Sequence, residues 1–255
     1  MDGYLLVDKP TGLTSHDVVA RVRHILRQSS SQQSIVDSQR RLKINDLRLT
    51  TPSAKPKVGH TGTLDPLASG LMILVLGSYT KRAQEFSKLD KTYEVELTLG
   101  KISTTGDSEG KITDYDGTKT VRSDQKCPDL AAVEVVLKKF VGEIEQTPPA
   151  FSAIKVNGQR AYKLARQGKD FKIEPRQVTI YSISDIQYKY PKLSFITEVS
   201  SGTYIRSLAE DIGQKLGTGA YVSALRRTKV GKFDIKNAVK LEKFLPDKID
   251  FLTEV

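Results

Sequence analysis

One carboxylate in this sequence stands in a setting suited to catalysis. The string Gly59-His60-Thr61-Gly62-Thr63-Leu64-Asp65-Pro66-Leu67-Ala68-Ser69-Gly70 sets Asp65 directly before a proline and among three glycines. Pro66 confines Asp65 to extended backbone and so fixes the direction of its side chain. The glycines allow sharp turns and close approach of backbone to a ligand. A carboxylate on a rigid turn suits a nucleophile or a general base. The same string also reads as an ordinary Gly-rich turn stabilised by an Asp. It is not a phosphate-binding Walker A loop, because no Gly-Lys-Ser/Thr follows.

Two further stretches carry chemistry-bearing residues. Ser200–Gly213 reads as a strand-to-helix junction with Arg206 in the first turn. A helix start of this kind presents unpaired N–H groups and favours anions. Arg206 is placed to pair with a carboxylate elsewhere, or to make a weak surface ion pair. Lys91-Thr92-Tyr93 puts an aromatic at the start of a strand. In isolation that is a core tyrosine.

These residues need elements to hold them. Tyr4–Val7 is a short apolar strand ended by the turn Asp8-Lys9-Pro10-Thr11-Gly12. Ser15 sits at a helix N-cap, Asp17 falls in the first turn, and Val18, Val19, Val22, Ile25 and Leu26 share one helical face. That helix is expected to end near Gln28. Ser29–Lys57 is polar and Pro-punctuated, with six cations against two acids, and reads as a mobile insertion with a short element around Arg41–Leu49. Leu71–Leu76 is a buried strand, Thr80–Leu89 has helical spacing, and Tyr93, Val95, Leu97 and Leu99 alternate along a strand. Pro128–Phe140 is a helix with proline near its start. Asn157-Gly158 is a hairpin turn between extended residues. Gln177–Tyr188 and Leu193–Ser200 are strands, and Thr203–Leu216 is a helix stopped by Gly217. Strands and helices mix without strict alternation, so the class is α+β.

Composition narrows the function. Forty Lys and Arg against 30 acids give a net charge of +10 over 255 residues, which attracts polyanions such as RNA or DNA. The run Arg226–Lys232 carries four cations and no acid. A single cysteine, Cys127, rules out an intramolecular disulfide and suits a reducing compartment. The longest apolar run is too short to cross a bilayer, and no signal peptide is visible at Met1-Asp2-Gly3-Tyr4. A cytoplasmic, monomeric protein is expected.

Taken together, Leu5-Leu6-Val7-Asp8-Lys9-Pro10, Gly59–Gly70, Lys91-Thr92-Tyr93 and Gly202-Thr203-Tyr204-Ile205-Arg206 resemble the signature motifs of TruB-type pseudouridine synthases, in their usual order. Pro148–Ala153 and Leu225-Arg226-Arg227 extend the likeness, which runs from about Gly3 to Val239 apart from the insertion. The resemblance implies a mixed, mainly antiparallel sheet with flanking helices, and an isomerase that converts a T-loop uridine of tRNA to pseudouridine-55. It implies no metal and no organic cofactor. Residue by residue, Asp65 matches the catalytic aspartate and Arg206 the arginine that pairs with it. Tyr93 matches the aromatic stacked on the flipped base, and His60 the residue that helps extrude the nucleotide. Tyr204 and Leu225 match residues lining the uracil pocket. Lys9 and Pro10 are expected to support the loop from beneath. Three roles stay open for Asp65: attack on the base, attack on the ribose, or removal of a ribose proton. Beside Arg226–Lys232, the resemblance favours phosphate contact.

Two features depart from that family. Ser29–Lys57 is longer than the matching segment in many relatives and is expected to add RNA contacts. The chain is expected to form one catalytic domain over residues 1–255, without the PUA-type domain of several bacterial relatives. Two other activities compete. One is a non-catalytic RNA-binding or RNA-folding protein on the same scaffold, which the joint presence of Asp65, Tyr93 and Arg206 disfavours. The other is a glycosidase-like enzyme, disfavoured because no second acid has comparable sequence context.

Overall fold

The computed structural model describes residues 2–41, 56–116 and 127–243, and for 29–41 and Lys243 the backbone only. The chain forms two compact units, Met1–Ser87 with Phe233–Val255, and Lys88–Lys232.

In chain order the first unit opens with β1 (Gly3–Lys9), α1 (Ser15–Arg41), β2 (Val58–His60), β3 (Ser69–Leu76) and the short α2 (Ala83–Ser87). The second unit holds β4 (Lys91–Leu99), β5 (Lys101–Ser103), β6 (Ile112–Asp114), α3 (Leu130–Lys138), β7 (Gly142–Gln146), β8 (Lys155–Val156), β9 (Gln159–Arg160), α4 (Ala161–Arg166), β10 (Arg176–Lys189), β11 (Lys192–Val199), α5 (Ile205–Leu216) and β12 (Ala220–Val230). The first unit resumes with β13 (Phe233–Asp234) and β14 (Val239–Lys240).

In the first unit β3 lies antiparallel to both β1 and β2, and β14 runs parallel to β1. Every residue of β3 from Gly70 to Leu76 is buried, as its unbroken apolar run requires. Val18, Val19, Val22 and Leu26 of α1 are buried, so the helix turns one stripe inward. Tyr4, Phe86 and Phe233 form an aromatic cluster with ring centroids 5.3–5.9 Å apart.

The second unit is built on an antiparallel sheet in the order β12-β4-β11-β10-β7. Tyr93, Val95, Leu97 and Leu99 of β4 are buried, as are Leu193, Phe195, Thr197 and Val199 of β11. Period-two burial on neighbouring strands makes one continuous apolar face. Helix α5 packs on β12 and stops where Gly217 takes up the left-handed conformation, φ +70°. Asn157 and Gly158, both at positive φ, close the β8–β9 hairpin. The expected α+β class, with mixed and mainly antiparallel strands, is the one observed.

Helix α1 differs from expectation at both ends. Its N-cap is Thr14, not Ser15. The Thr14 N–H and hydroxyl donate to Asp17 Oδ2 at 2.9 and 2.7 Å, and the Asp17 N–H returns to Thr14 Oγ1 at 3.1 Å. This reciprocal box caps the helix and frees Ser15 for another task. The helix continues past Gln28 to Arg41. No glycine or proline lies between Ser15 and Arg41 to stop it. The element expected around Arg41–Leu49 falls, beyond Arg41 itself, outside the described residues.

Candidate functional site

Asp65 belongs to the first unit, on the connection between β2 and β3. Its carbonyl accepts from the Ala68 N–H at 3.0 Å, closing a turn whose second residue is Pro66. Both flanks of that turn are fixed. On one side, Ser15 Oγ accepts from the Leu64 N–H at 2.8 Å and donates to the Leu64 carbonyl at 3.0 Å. On the other, the Pro66 carbonyl accepts from the Gly12 N–H at 2.8 Å and from Lys9 Nζ at 3.3 Å. Leu64 and Ala68 are buried, whereas Asp65 itself is half-buried. The backbone is thus anchored on both flanks of a half-buried residue.

Lys9 is fully buried and also donates to the carbonyls of Pro10 and Leu13, at 3.0 and 2.6 Å. One ammonium therefore gathers the Pro10–Leu13 turn and the Asp65 turn. Thr61 ties the start of the loop, its N–H and hydroxyl donating to the Ile73 carbonyl at 3.1 and 3.2 Å. His60 ends β2 opposite Leu74 and is half-buried. Arg23 of α1 donates to the Val58 carbonyl at 2.5 Å, so the helix holds β2 as well as the loop beyond it.

The second unit carries Tyr93, Tyr204, Arg206 and Leu225. Tyr93 and Leu225 sit on the paired strands β4 and β12, where Tyr93 faces Arg227 and Val95 faces Leu225. Tyr93, Val95, Leu225 and Arg227 are buried, and their register on the paired strands puts them on one face of the sheet. Lys91, two residues before Tyr93, shares this face and donates to the Leu89 carbonyl at 2.5 Å. Burial, and then the nearby Arg227 cation, push the Lys91 ammonium down to about 8, against the pull of Asp90. Arg227 corrects one expectation. Of the run Arg226–Lys232, it turns inward with 2% of its surface exposed. Strand alternation puts it on the Tyr93 face, whereas Lys229 and Lys232 are exposed.

Tyr204 and Arg206 mark the start of α5. Arg206 is 4% exposed and its guanidinium is aimed by backbone: Nη1 donates to the Thr105 carbonyl and Nη2 to the Phe151 carbonyl, both at 3.0 Å. Its Nε lies 3.7 Å from Asp107 Oδ2. Asp107 is buried in turn, its Oδ1 accepting from Thr105 Oγ1 at 2.5 Å and from the Glu109 N–H at 3.0 Å. The loop bearing it approaches α5 closely. A Cβ added at Gly106, where φ is +75°, would fall 2.7 Å from Glu210 Oε1 and 3.2 Å from Arg206 Cβ. Desolvation, and then Asp211, raise the Glu210 carboxyl; Asp107 adds to this and Arg206 opposes it. The Tyr204 ring lies under the Arg176 guanidinium, 4.9 Å from its centroid.

The structure therefore gathers Lys9, Pro10, His60 and Asp65 in one unit and Tyr93, Tyr204, Arg206 and Leu225 in the other. Sequence reasoning missed Asp107 and found no second acid of comparable context. That acid is now visible, but it is engaged by Thr105, Glu109 and Arg206. Its signal was available in the Gly106-Asp107 pair of an otherwise polar loop. Ser15 was misread as a cap, and Gln146 carried no local signal. Among the described residues no group of three or more His, Cys, Asp or Glu is placed to hold a metal, and no helix is long and apolar enough to cross a membrane.

Comparison with known proteins adds a second line. A family model described as TruB family pseudouridylate synthase (N terminal domain) matches residues 47–205. Another, described as tRNA pseudouridylate synthase B C-terminal domain, matches residues 206–249. The chain is 40% identical over 247 residues to a tRNA pseudouridine synthase B of Aquifex aeolicus, spanning 96% of this chain and 74% of that one. It is 41% identical over 242 residues to a protein of the same name from Burkholderia lata, spanning 95% of this chain and 64% of that one. Among solved structures, a Cbf5–Nop10–Gar1 complex matches with a TM-score of 0.61 and 29% identity, over 94% of this chain and 52% of that one.

Proposed function

Because the chain belongs to the TruB family of pseudouridylate synthases, we propose that it isomerises the T-loop uridine of tRNA to pseudouridine-55, with Asp65 as the catalytic carboxylate. Pseudouridine synthases are isomerases. The N1–C1′ glycosidic bond breaks, the uracil turns over, and C5 is joined to C1′. C5 loses a proton and N1 gains one, so no redox partner enters.

The observation that carries this reading is the Asp65 turn, fixed on one flank by Ser15 and on the other by Lys9 and Gly12. Pinned backbone around a half-buried carboxylate is the preorganisation that covalent or general-base chemistry needs. The other roles follow the motifs. His60 helps extrude the nucleotide, Tyr93 stacks on the flipped uracil, and Tyr204 and Leu225 bound the pocket. Arg206, its orientation set by two backbone carbonyls and Asp107, matches the family's active-site arginine and supplies a fixed cation. Residues 1–255 act as one catalytic domain. Basic residues in Ser29–Lys57, and the exposed Lys229 and Lys232, contact phosphates of the T-arm. The protein works as a cytoplasmic monomer and needs no metal or organic cofactor.

The test is release of tritium from C5-labelled uridine in a tRNA T-stem-loop. Wild type should release it, and Asp65→Asn should not while still binding the RNA. Binding by both without release by either would leave an RNA-binding protein on a synthase scaffold.

A further inference from the structure

We propose that Gln146 is a positioning residue whose side-chain amide acts as a substitute peptide group and fixes the helix start that carries Tyr204 and Arg206. Gln146 ends β7 and is 1% exposed. Its Nε2 donates to the Tyr204 carbonyl at 3.0 Å, and its Oε1 accepts from the Tyr204 N–H at 2.8 Å. Both ends of one amide are spent on the two backbone groups of one residue. That pairing also fixes which way the amide faces, since the reverse orientation would set N–H against N–H.

The target needs such a partner. Tyr204 is the N-cap of α5, extended at φ −101° and ψ 113°, and its side chain makes no capping bond. A helix end buried without a cap leaves backbone groups to be satisfied from outside. Gln146 does this for the Tyr204 N–H, while the Tyr204 carbonyl, which also takes the Leu208 N–H at 3.1 Å, gains the Gln146 amide as a second donor. The bonds continue along the same stretch: Ser207 Oγ donates to the Thr147 carbonyl at 2.8 Å, and Arg206 Nη2 donates to the Phe151 carbonyl. Arg176, the cross-strand partner of Gln146 on β10, lies over the Tyr204 ring and donates to the Gly202 carbonyl. The residues from Gln146 to Phe151 thus form a rail for the first turn of α5. Two-point contact at Tyr204 fixes both its position along the rail and its rotation. Arg206, two residues on, takes its aim from that point.

The inference rests on the function proposed above, because positioning is read through turnover. Two variants separate its parts. Gln146→Met keeps the length and loses both bonds. Gln146→Glu keeps the shape and the bond from the Tyr204 N–H, but when ionised it turns an oxygen toward the Tyr204 carbonyl. The measurements are kcat and KM for tritium release, the melting curve, and hydrogen exchange at the Tyr204 amide. In Gln146→Met, kcat should fall at least about tenfold with KM within about twofold, the pattern of lost transition-state alignment. Exchange at the Tyr204 amide should speed up about tenfold or more, for one lost buried bond. Gln146→Glu should protect that amide better than Gln146→Met and yet lose kcat. Unchanged kcat in folded variants would overturn the positioning role, and unchanged exchange in Gln146→Met would overturn the clamp. If wild type itself releases no tritium, the function proposed above falls, and with it the positioning role. The exchange result then still decides whether the clamp exists.

Discussion

Arg206 and Asp107 meet at 3.7 Å with both side chains buried, joining the first turn of α5 to the loop after β5. Removing one partner of a buried ion pair is destabilising, by up to about 3–5 kcal/mol. Asp107→Asn retains an oxygen for Thr105 and Glu109 but loses the countercharge. The variant should melt lower than wild type, and its kcat should fall by about tenfold or more as Arg206 loses its aim. Calorimetry and single-turnover tritium release on the same preparation check both halves.

Ser15→Ala removes two bonds to Leu64, the residue before Asp65. It strands a buried N–H and carbonyl, costing about 1–3 kcal/mol. Thr14 still caps α1, so the helix should persist by circular dichroism. Turnover should drop while RNA affinity holds. An unaltered kcat in a destabilised Ser15→Ala would mean that the tie serves folding alone.

Lys9→Met keeps the length of a fully buried side chain and removes its charge. Three carbonyls, of Pro10, Leu13 and Pro66, lose a donor. The expected loss of stability is about 2–4 kcal/mol, read from urea midpoints at unchanged m-value.

Lys91 gives a pH signature. Its ammonium titrates at about 8 in the folded protein, against an ordinary value of 10.5. Between those two values the unfolded chain binds more protons than the native one, so stability rises with pH across that window. Below about 8 both states are charged and the cost of burying the cation is constant. Lys91→Met should flatten the rise, measured by urea unfolding at several pH values from 7 to 10.5.

What could be read from the sequence was what neighbours in the chain decide. The Asp65-Pro66 turn, the Asn157-Gly158 hairpin and the stop at Gly217 are local conformational choices, and each stands where expected. The α+β class followed from periodicity. The partners of the site residues did not follow. Gln146 and Tyr204 are 58 residues apart, and Arg206 and Thr105 are 101 apart. Nothing within a short window marks such pairs. Ser15 shows the same limit in miniature. Its type and place fit a cap, but Thr14 takes that task and Ser15 reaches 49 residues to Leu64. Arg227 looked like part of a phosphate-binding run, because composition does not tell which face of β12 a cation occupies.

Two cross-ties bracket the stretch between α1 and the Asp65 turn. Arg23 holds the Val58 carbonyl and Ser15 holds Leu64. Chain spliced between residues 41 and 56 is therefore anchored on both sides before it reaches the carboxylate. The carboxylate is thereby insulated from what lies upstream: a displacement before Val58 is taken up at the two ties and does not reach the backbone at Asp65.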